Sequence, residues 1–458
     1  MQFIGRSVEL DLLNREYRGD KGSFVPVFGR RRVGKSQLLV EFAHGKPLLY
    51  FTAMQSTNAQ NLVAFGRQAA KLTGIQSLAT AADWETLLQD TVAGWRSAER
   101  RILVIDEIQW AVQAAPELPS LIQRLWDHDW QHRKDLMLIL CGSQFGFFRD
   151  QILLAGSPLY GRRTAHINLQ PFELQEAGQF HPNLSHEDRA QIYFITGGIP
   201  YYLQKFEEES VRTNIVRNFL SPQADLATEA DFLLYEETKL VPMAKAVLSA
   251  IADGNVRYSD IAEATGRESN GLAYHLEPLE EIGFIKKKYP VSPQPASRKL
   301  VRYEISDPFL RFWFRFFSRQ YDAEAIANPD GFFQDQIQPQ LESYWGTCWE
   351  RLCRRQLPRI YEKEGITCHA EIGEFWAAKT VQIDLVSLRG DKRIELGECR
   401  WRHVRSLPAL AQELDQKMTH FPNPKDVSMG RRLFVRSYQG AVLGDCRVHT
   451  LGDLYKLV

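Results

Sequence analysis

Three uninterrupted apolar runs stand in the first third of the chain, each closing on polar or glycine positions. They are Ser23-Phe24-Val25-Pro26-Val27-Phe28, Arg101-Ile102-Leu103-Val104-Ile105-Asp106-Glu107 and Leu136-Met137-Leu138-Ile139-Leu140-Cys141-Gly142-Ser143-Gln144. Such runs predict strands buried on both faces, as in a parallel sheet covered by helices. Helical periodicity takes over at Gln37-Leu38-Leu39-Val40-Glu41-Phe42. It recurs from Leu174 to Glu208, with a glycine- and proline-marked break at Thr196-Gly197-Gly198-Ile199-Pro200.

Farther on, the spacing predicts three short helices around Met243–Leu248, Ser259–Ala262 and Gly271–Ile282. Two strand-like stretches, Phe284–Lys288 and Leu300–Ile305, follow around a proline-containing loop. This is a winged helix-turn-helix outline, and its third helix would read DNA with Asn270, Tyr274 and His275. Glu277, Glu280 and Glu281 on that helix oppose phosphates, whereas Lys286, Lys287, Lys288, Arg298 and Lys299 favour them, so DNA contact and protein docking both stay open. The aromatic run Phe309–Phe317 carries too much apolar area to leave in water and is expected to pack inside. Residues 321–343, rich in Gln, Asp and Pro, read as a connector. A helix over Tyr344–Leu357 and paired strands Val381–Leu388 and Ile394–Arg400 complete the pattern.

The chemistry enters at Gly29-Arg30-Arg31-Arg32-Val33-Gly34-Lys35-Ser36, which fills every position of the phosphate-binding P-loop. Its backbone N–H groups would cradle phosphates at a helix N-terminus, Lys35 would reach the β and γ oxygens, and the Ser36 hydroxyl would ligate Mg²⁺. Asp106 ends a central strand where it can hold the Mg²⁺ through water, and Glu107 can polarise an attacking water. Ser143 and Gln144 would stand beside the γ-phosphate. Arg162 or Arg163 would neutralise the transferred phosphoryl, in its own subunit or a neighbour's. ATP and Mg²⁺ are the expected ligands.

With 458 residues, the chain suits several domains. Its 56 basic residues balance 56 acidic ones, so overall charge gives no nucleic-acid signal. The six cysteines include no CxxC pair, which argues against a zinc site and suits a reducing cytoplasm. No apolar run approaches the roughly 20 residues of a membrane span.

Phe3-Ile4-Gly5-Arg6, the arginine-filled P-loop, Asp106-Glu107-Ile108-Gln109, Gly142-Ser143, Ser157–Arg162 and Thr196–Leu203 together resemble the archaeal and bacterial P-loop ATPase family. That family lies within the wider AAA+/STAND group. The resemblance implies that Gly5 and Arg6 lie over an adenine and that the segment after the core is a nucleotide-gated lid. It also extends to a C-terminal DUF234-type domain similar to PD-(D/E)xK nucleases. There Asp384 and Glu398, joined by Glu350 on the preceding helix, would hold a second Mg²⁺. The position of the nuclease lysine is Arg400, which carries its charge at any relevant pH and cannot act as a base. Residues 346–458 hold 19 basic and 14 acidic residues, an excess compatible with a phosphate-backbone partner.

The expected architecture is therefore α/β. A P-loop core spans 1–170, a helical lid 171–238, a winged helix 239–318, a connector 319–345 and a nuclease-like domain 346–458. The leading expectation is an ATPase that repositions the later modules on DNA, in a homo-oligomer if Arg162 acts across subunits. The alternatives are a nucleotide-gated switch that docks proteins and an active Mg²⁺-dependent nuclease.

Overall fold

The three apolar runs become neighbouring strands of one sheet in the computed structural model. The structure describes residues 3–457 apart from 222, 239–240, 268, 295–299, 319–324, 326, 378–380 and 442–443. It falls into two units, one running to Phe172 and adding Ile199–Tyr201, the other holding Glu173–Gly198 and the chain from Tyr202 onward. The expected winged-helix and C-terminal segments belong to the second unit, as does the expected lid apart from residues 171–172 and Ile199–Tyr201.

In the first unit, β1 (Ser23–Phe28), β2 (Leu48–Thr52), β3 (Arg101–Asp106), β4 (Leu136–Gly142) and β5 (Ile167–Asn168) form a parallel sheet in the order β2-β3-β4-β1-β5. Every residue of β1, β3 and β4 is buried, which is why these runs lack polar alternation. Phe24, Phe51, Phe65, Trp84 and Trp126 pack on the sheet in one core. All the strands run the same way, so the carboxyl ends of β1, β3 and β4 place Gly29, Glu107 and Ser143 along one edge.

The second unit opens with short helices, among them His186–Thr196, which ends at the anticipated glycine break. Helices Val241–Ala252, Tyr258–Ala264 and Ser269–Ile282 precede an antiparallel pair, β6 (Ile285–Lys288) and β7 (Arg302–Ile305). Arg298, Lys299 and the side chain of Asn270 lie outside the described residues. The aromatic helix Pro308–Phe316 is capped by Asp307, whose carboxylate accepts from Leu310 N at 2.7 Å. Its rings are buried, with Phe309 stacked on Tyr202 at 4.4 Å between centroids.

A 26-residue helix, Gln338–Lys363, replaces the shorter one expected at Tyr344–Leu357. It starts inside the segment read as a connector and continues through Pro358. Its apolar stripe of Trp345, Trp349, Leu352, Leu357, Ile360 and Tyr361 runs past the proline and is buried along its length. That burial outweighs the one backbone hydrogen bond the proline removes.

The last sheet follows the order β12-β11-β10-β9-β8, with β8 (Ala370–Ala377), β9 (Val381–Arg389) and β10 (Arg393–Val404) antiparallel. β11 (Ser428–Tyr438) and β12 (Cys446–Thr450) continue it in parallel. Side chains alternate across β10. Glu395 and Trp401 meet Tyr361 and Trp349 of the long helix, while Ile394, Leu396 and Glu398 face the helix Leu407–Met418.

Candidate functional site

The P-loop joins β1 to the helix Lys35–Ala43 through two glycines with distinct constraints. Gly29 has φ +153°, and a Cβ there would lie 2.4 Å from the Leu169 carbonyl oxygen. Gly34 caps the helix in the left-handed region at φ +94°. Between them, Lys35 Nζ donates to the carbonyls of Gly29 at 2.9 Å and Arg30 at 3.0 Å, which closes the loop on itself. Burial pulls this ammonium below its ordinary range, and the nearby Glu107 and Asp106 oppose that pull.

Asp106 is 4% exposed. Its Oδ2 accepts from Ser36 Oγ at 3.0 Å and Tyr50 Oη at 2.5 Å, while its Oδ1 accepts from Glu107 N at 2.9 Å. Burial and the Asp106 charge push the Tyr50 hydroxyl well up, so it remains a donor. Glu107 sits at φ +50°, and its Oε2 accepts from Gln109 Nε2 and from Ser143 Oγ at 3.2 Å. Gln144 follows Ser143, and its carbonyl accepts from Phe148 N at 3.3 Å. Ser36 and Asp106 offer adjacent hard oxygen donors, a set that fits Mg²⁺.

Arg6, expected with Gly5 to lie over an adenine, contacts the P-loop itself. Both residues take left-handed backbone conformations. The Arg6 guanidinium donates to Val33 O at 3.1 Å and Gln170 O at 2.7 Å and lies 4.0 Å from the Phe172 ring centroid. At 6% exposure it ties the loop to the segment after β5. Arg32 lies over Tyr201 at 4.4 Å, and Arg31 adds like charge near Lys35. Arg162 makes a two-pronged pair with Asp127, 2.8 Å for each bond. Arg163 keeps Nη1 buried without a hydrogen-bond partner among the described residues.

In the second unit, Asp384 and Glu398 do come together, and the expected metal position between them is taken by protein cations. Arg400 reaches Asp384 Oδ2 at 3.2 Å and Glu398 Oε2 at 2.9 Å. Lys417, from the helix Leu407–Met418, holds Glu398 Oε1 at 2.7 Å. Glu350 rises instead from the helix packed on the opposite face of β10. Burial and the Asp384 charge push its carboxyl up to about 8. The same causes push Glu398 up to about 7 against Lys417 and Arg400. Among the described residues, no three His, Cys, Asp or Glu side chains gather as a metal site. The three carboxylates therefore do not fit the second Mg²⁺ expected of them, because sheet alternation separates Glu350 from Glu398.

Tyr50 and Lys417 are participants that motif reading missed, and Gln109 entered only as part of a motif, without a role. Tyr50 is one position among apolar strand residues. Gln109 follows the acidic pair without a spacing rule of its own. Lys417 lies on a separate helix and meets Glu398 only through the fold.

Two family descriptions match the chain: an ATPase domain predominantly from Archaea over residues 3–206, and DUF234, archaeal and bacterial proteins of unknown function, over residues 313–412. An uncharacterized protein of Methanocaldococcus jannaschii is 28% identical over 456 residues, 98% of this chain and 99% of its own length. An uncharacterized ATP-binding protein of the same organism is 35% identical over 48 residues, 10% of this chain and 81% of that protein. Among solved structures, the Walker-type ATPase of Pyrococcus abyssi is similar at 20% identity and TM-score 0.48, covering 68% of this chain and 96% of that one. The complete P-loop, the acidic pair at the end of β3 and the two matched segments agree: the chain carries an archaeal-type P-loop ATPase domain followed by a C-terminal DUF234 segment.

Proposed function

We propose that this ATPase couples its nucleotide state to a winged-helix and nuclease-like module acting on DNA. The observation that carries the catalytic part is the alignment of Lys35, Ser36, Asp106 and Glu107 at the carboxyl edge of the parallel sheet. In this reading the P-loop amides and Lys35 bind the phosphates, and Ser36 and Asp106 hold Mg²⁺. That ion would neutralise charge on the phosphate oxygens. Glu107 accepts a proton from the attacking water, and Ser143 and Gln109 orient its carboxylate. Ser143 and Gln144 sense the γ-phosphate. Arg162 can serve a neighbouring subunit of a homo-oligomer only by leaving Asp127. The six cysteines, none in a disulfide, suit a reducing cytoplasm.

The helices from Val241 to Ile282 and the β6–β7 hairpin support a winged-helix assignment. The experiment is ATP turnover with and without DNA, in the parent and in Lys35→Ala and Glu107→Gln. Stimulation by DNA is expected in the parent. Lys35→Ala should lose binding and turnover, and Glu107→Gln should bind ATP and stall. Unchanged turnover in Lys35→Ala sinks the catalytic assignment.

A nucleotide-gated protein-docking switch is favoured by a separate observation. Lys286 and Lys288 pair with Glu304 at 3.0 and 3.3 Å, and Lys287 pairs with Glu280 at 2.6 Å, so the hairpin lysines are already countered. Turnover indifferent to DNA, with ATP-dependent protein association, selects this reading.

A further inference from the structure

Wholly within the second unit lies a cleft of about 710 Å³, bounded by the β6–β7 hairpin, the helices Pro308–Phe316 and Gln338–Lys363, and β8. Lys288, Arg311, Arg351 and Arg354 line it against two carboxylates, Glu304 and Glu374. Both carboxylates are shared. Glu304 contacts Lys288 at 3.3 Å and Arg351 Nη2 at 2.7 Å, and Glu374 contacts Lys288 and, at 3.7 Å, Arg354. Lys286 also reaches Glu304, at 3.0 Å, while Lys287 and Arg355, which line the cleft too, pair with Glu280 and Glu173 outside its lining, so the lining cations outnumber its two anions.

The excess shows in the hydrogen bonding. The terminal nitrogens of Arg311 donate to the Ile305 carbonyl at 3.5 Å and the Cys348 sulfur at 3.8 Å, and the Tyr344 hydroxyl is its further neutral neighbour. Its Nε, together with Nε and Nη1 of Arg351, is buried without a hydrogen-bond partner among the described residues. The Arg351 side chain nevertheless keeps 22% of its surface open. Burial and the neighbouring Arg311 pull Arg351 below its ordinary range, as two like charges held together require.

Guanidinium forks match phosphate oxygens, and a phosphate would supply both the missing acceptors and the missing negative charge. The volume lies within the range of about 300–1,000 Å³ usual for small-ligand sites. Tyr289, another lining residue, is 54% exposed and offers a ring face on which a base can stack. We propose that Arg311 and Arg351 form a phosphate-binding site whose ligand is a nucleotide unit, with Tyr289 receiving its base. The site is built without any P-loop residue, so it stands whether or not the ATPase acts on DNA.

The test titrates the full chain carrying Lys35→Ala, which silences the P-loop, with inorganic phosphate, AMP and a short single-stranded oligonucleotide. Binding is expected, and Arg351→Gln should weaken it about tenfold, the loss of one charge-assisted contact. Tyr289→Ala should weaken AMP and the oligonucleotide while sparing inorganic phosphate. Tighter binding of AMP identifies a free nucleotide as the ligand, and tighter binding of the oligonucleotide identifies a strand. Lys288→Gln, at the cleft edge, replaces Arg351→Gln if that variant does not fold, with an expected loss of about threefold. Failure of all three probes to bind, or parental affinity in the folded cleft variant, overturns the proposal. Parental AMP affinity in Tyr289→Ala overturns its stacking part.

Discussion

Ser36 and Tyr50 converge on one oxygen, Asp106 Oδ2, at 3.0 and 2.5 Å. Two donors on a single buried carboxylate oxygen fix its direction before nucleotide arrives, and only one of them belongs to the P-loop. Tyr50→Phe keeps the ring and removes the second donor. ATP affinity should stay within about threefold, while kcat should fall about tenfold, the usual scale for a lost orienting hydrogen bond at a reacting centre. Steady-state turnover alongside equilibrium nucleotide binding separates the two quantities. A change in affinity with unchanged kcat would assign Tyr50 to ground-state binding.

Glu107 is held in a left-handed backbone conformation with Gln109 and Ser143 on the same carboxylate oxygen. Orientation of that oxygen therefore depends on two neutral donors. Gln109→Ala should lower kcat about tenfold with KM within threefold, because the carboxylate keeps its charge and loses its aim. Ser143→Ala should act in the same direction and combine non-additively with Gln109→Ala, since both restrain one atom. Strict additivity in the double variant would show that the two donors act independently.

Much of this centre was legible because strand burial and phosphate chemistry both leave contiguous signatures. The runs ending at Phe28, Asp106 and Gly142 became β1, β3 and β4, and the P-loop became the β1-to-helix turn. Less was legible where contacts join distant segments. Arg6 reads as part of an adenine-facing box, and that its head also spans Val33 and Gln170 is visible only in the fold. Pro358 reads as a helix end, yet the buried stripe carries the helix to Lys363. Arg400 announced a departure from nuclease chemistry, but that Lys417 would reinforce it depends on the packing of Leu407–Met418 against β10.

Asp384 behaves as a structural latch. Its Oδ2 accepts from Cys399 N at 3.0 Å and from Arg400 at 3.2 Å, bonds that tie β9 to β10 beyond their last ladder pair. Asp384→Ala should cost about 2–4 kcal/mol in chemical denaturation, the scale for a buried charge-assisted bond lost with its partner left behind. Incubation of plasmid DNA with the parent chain and Mg²⁺ should yield no cleavage, because Arg400 and Lys417 already neutralise the pair. Cleavage by the parent that disappears in Asp384→Ala would show that these cations yield to a metal.

Arg432, fully buried, ties β11 to its surroundings through Glu395 at 2.5 Å, two bonds to Glu364 and a bond to His449 Nε2 at 2.9 Å. An arginine only donates, so Nε2 must accept and the imidazole must be neutral. Burial and Arg432 accordingly pull His449 down from 6.5 to about 4. The unfolded chain then binds a proton that the folded chain refuses between these values. Its stabilising effect is complete above pH 6.5 and declines as the pH falls toward 4, by at most about 1.4 kcal/mol per pH unit. Glu364 and Glu395 are held below 4.5 by Arg432 despite their burial, so their contributions fail only under more acid conditions. Within the Arg432 cluster, the interval from pH 6.5 to 4.5 thus isolates the histidine, and groups outside it, Glu350 and Glu398 among them, act alike in the parent and in a His449 variant. Hydrogen-exchange protection of β11 and β12, corrected for intrinsic rates, should fall across it in the parent and stay nearly level in His449→Gln, whose amide oxygen can still accept from Arg432. An equal decline in both chains would place the acid sensitivity elsewhere.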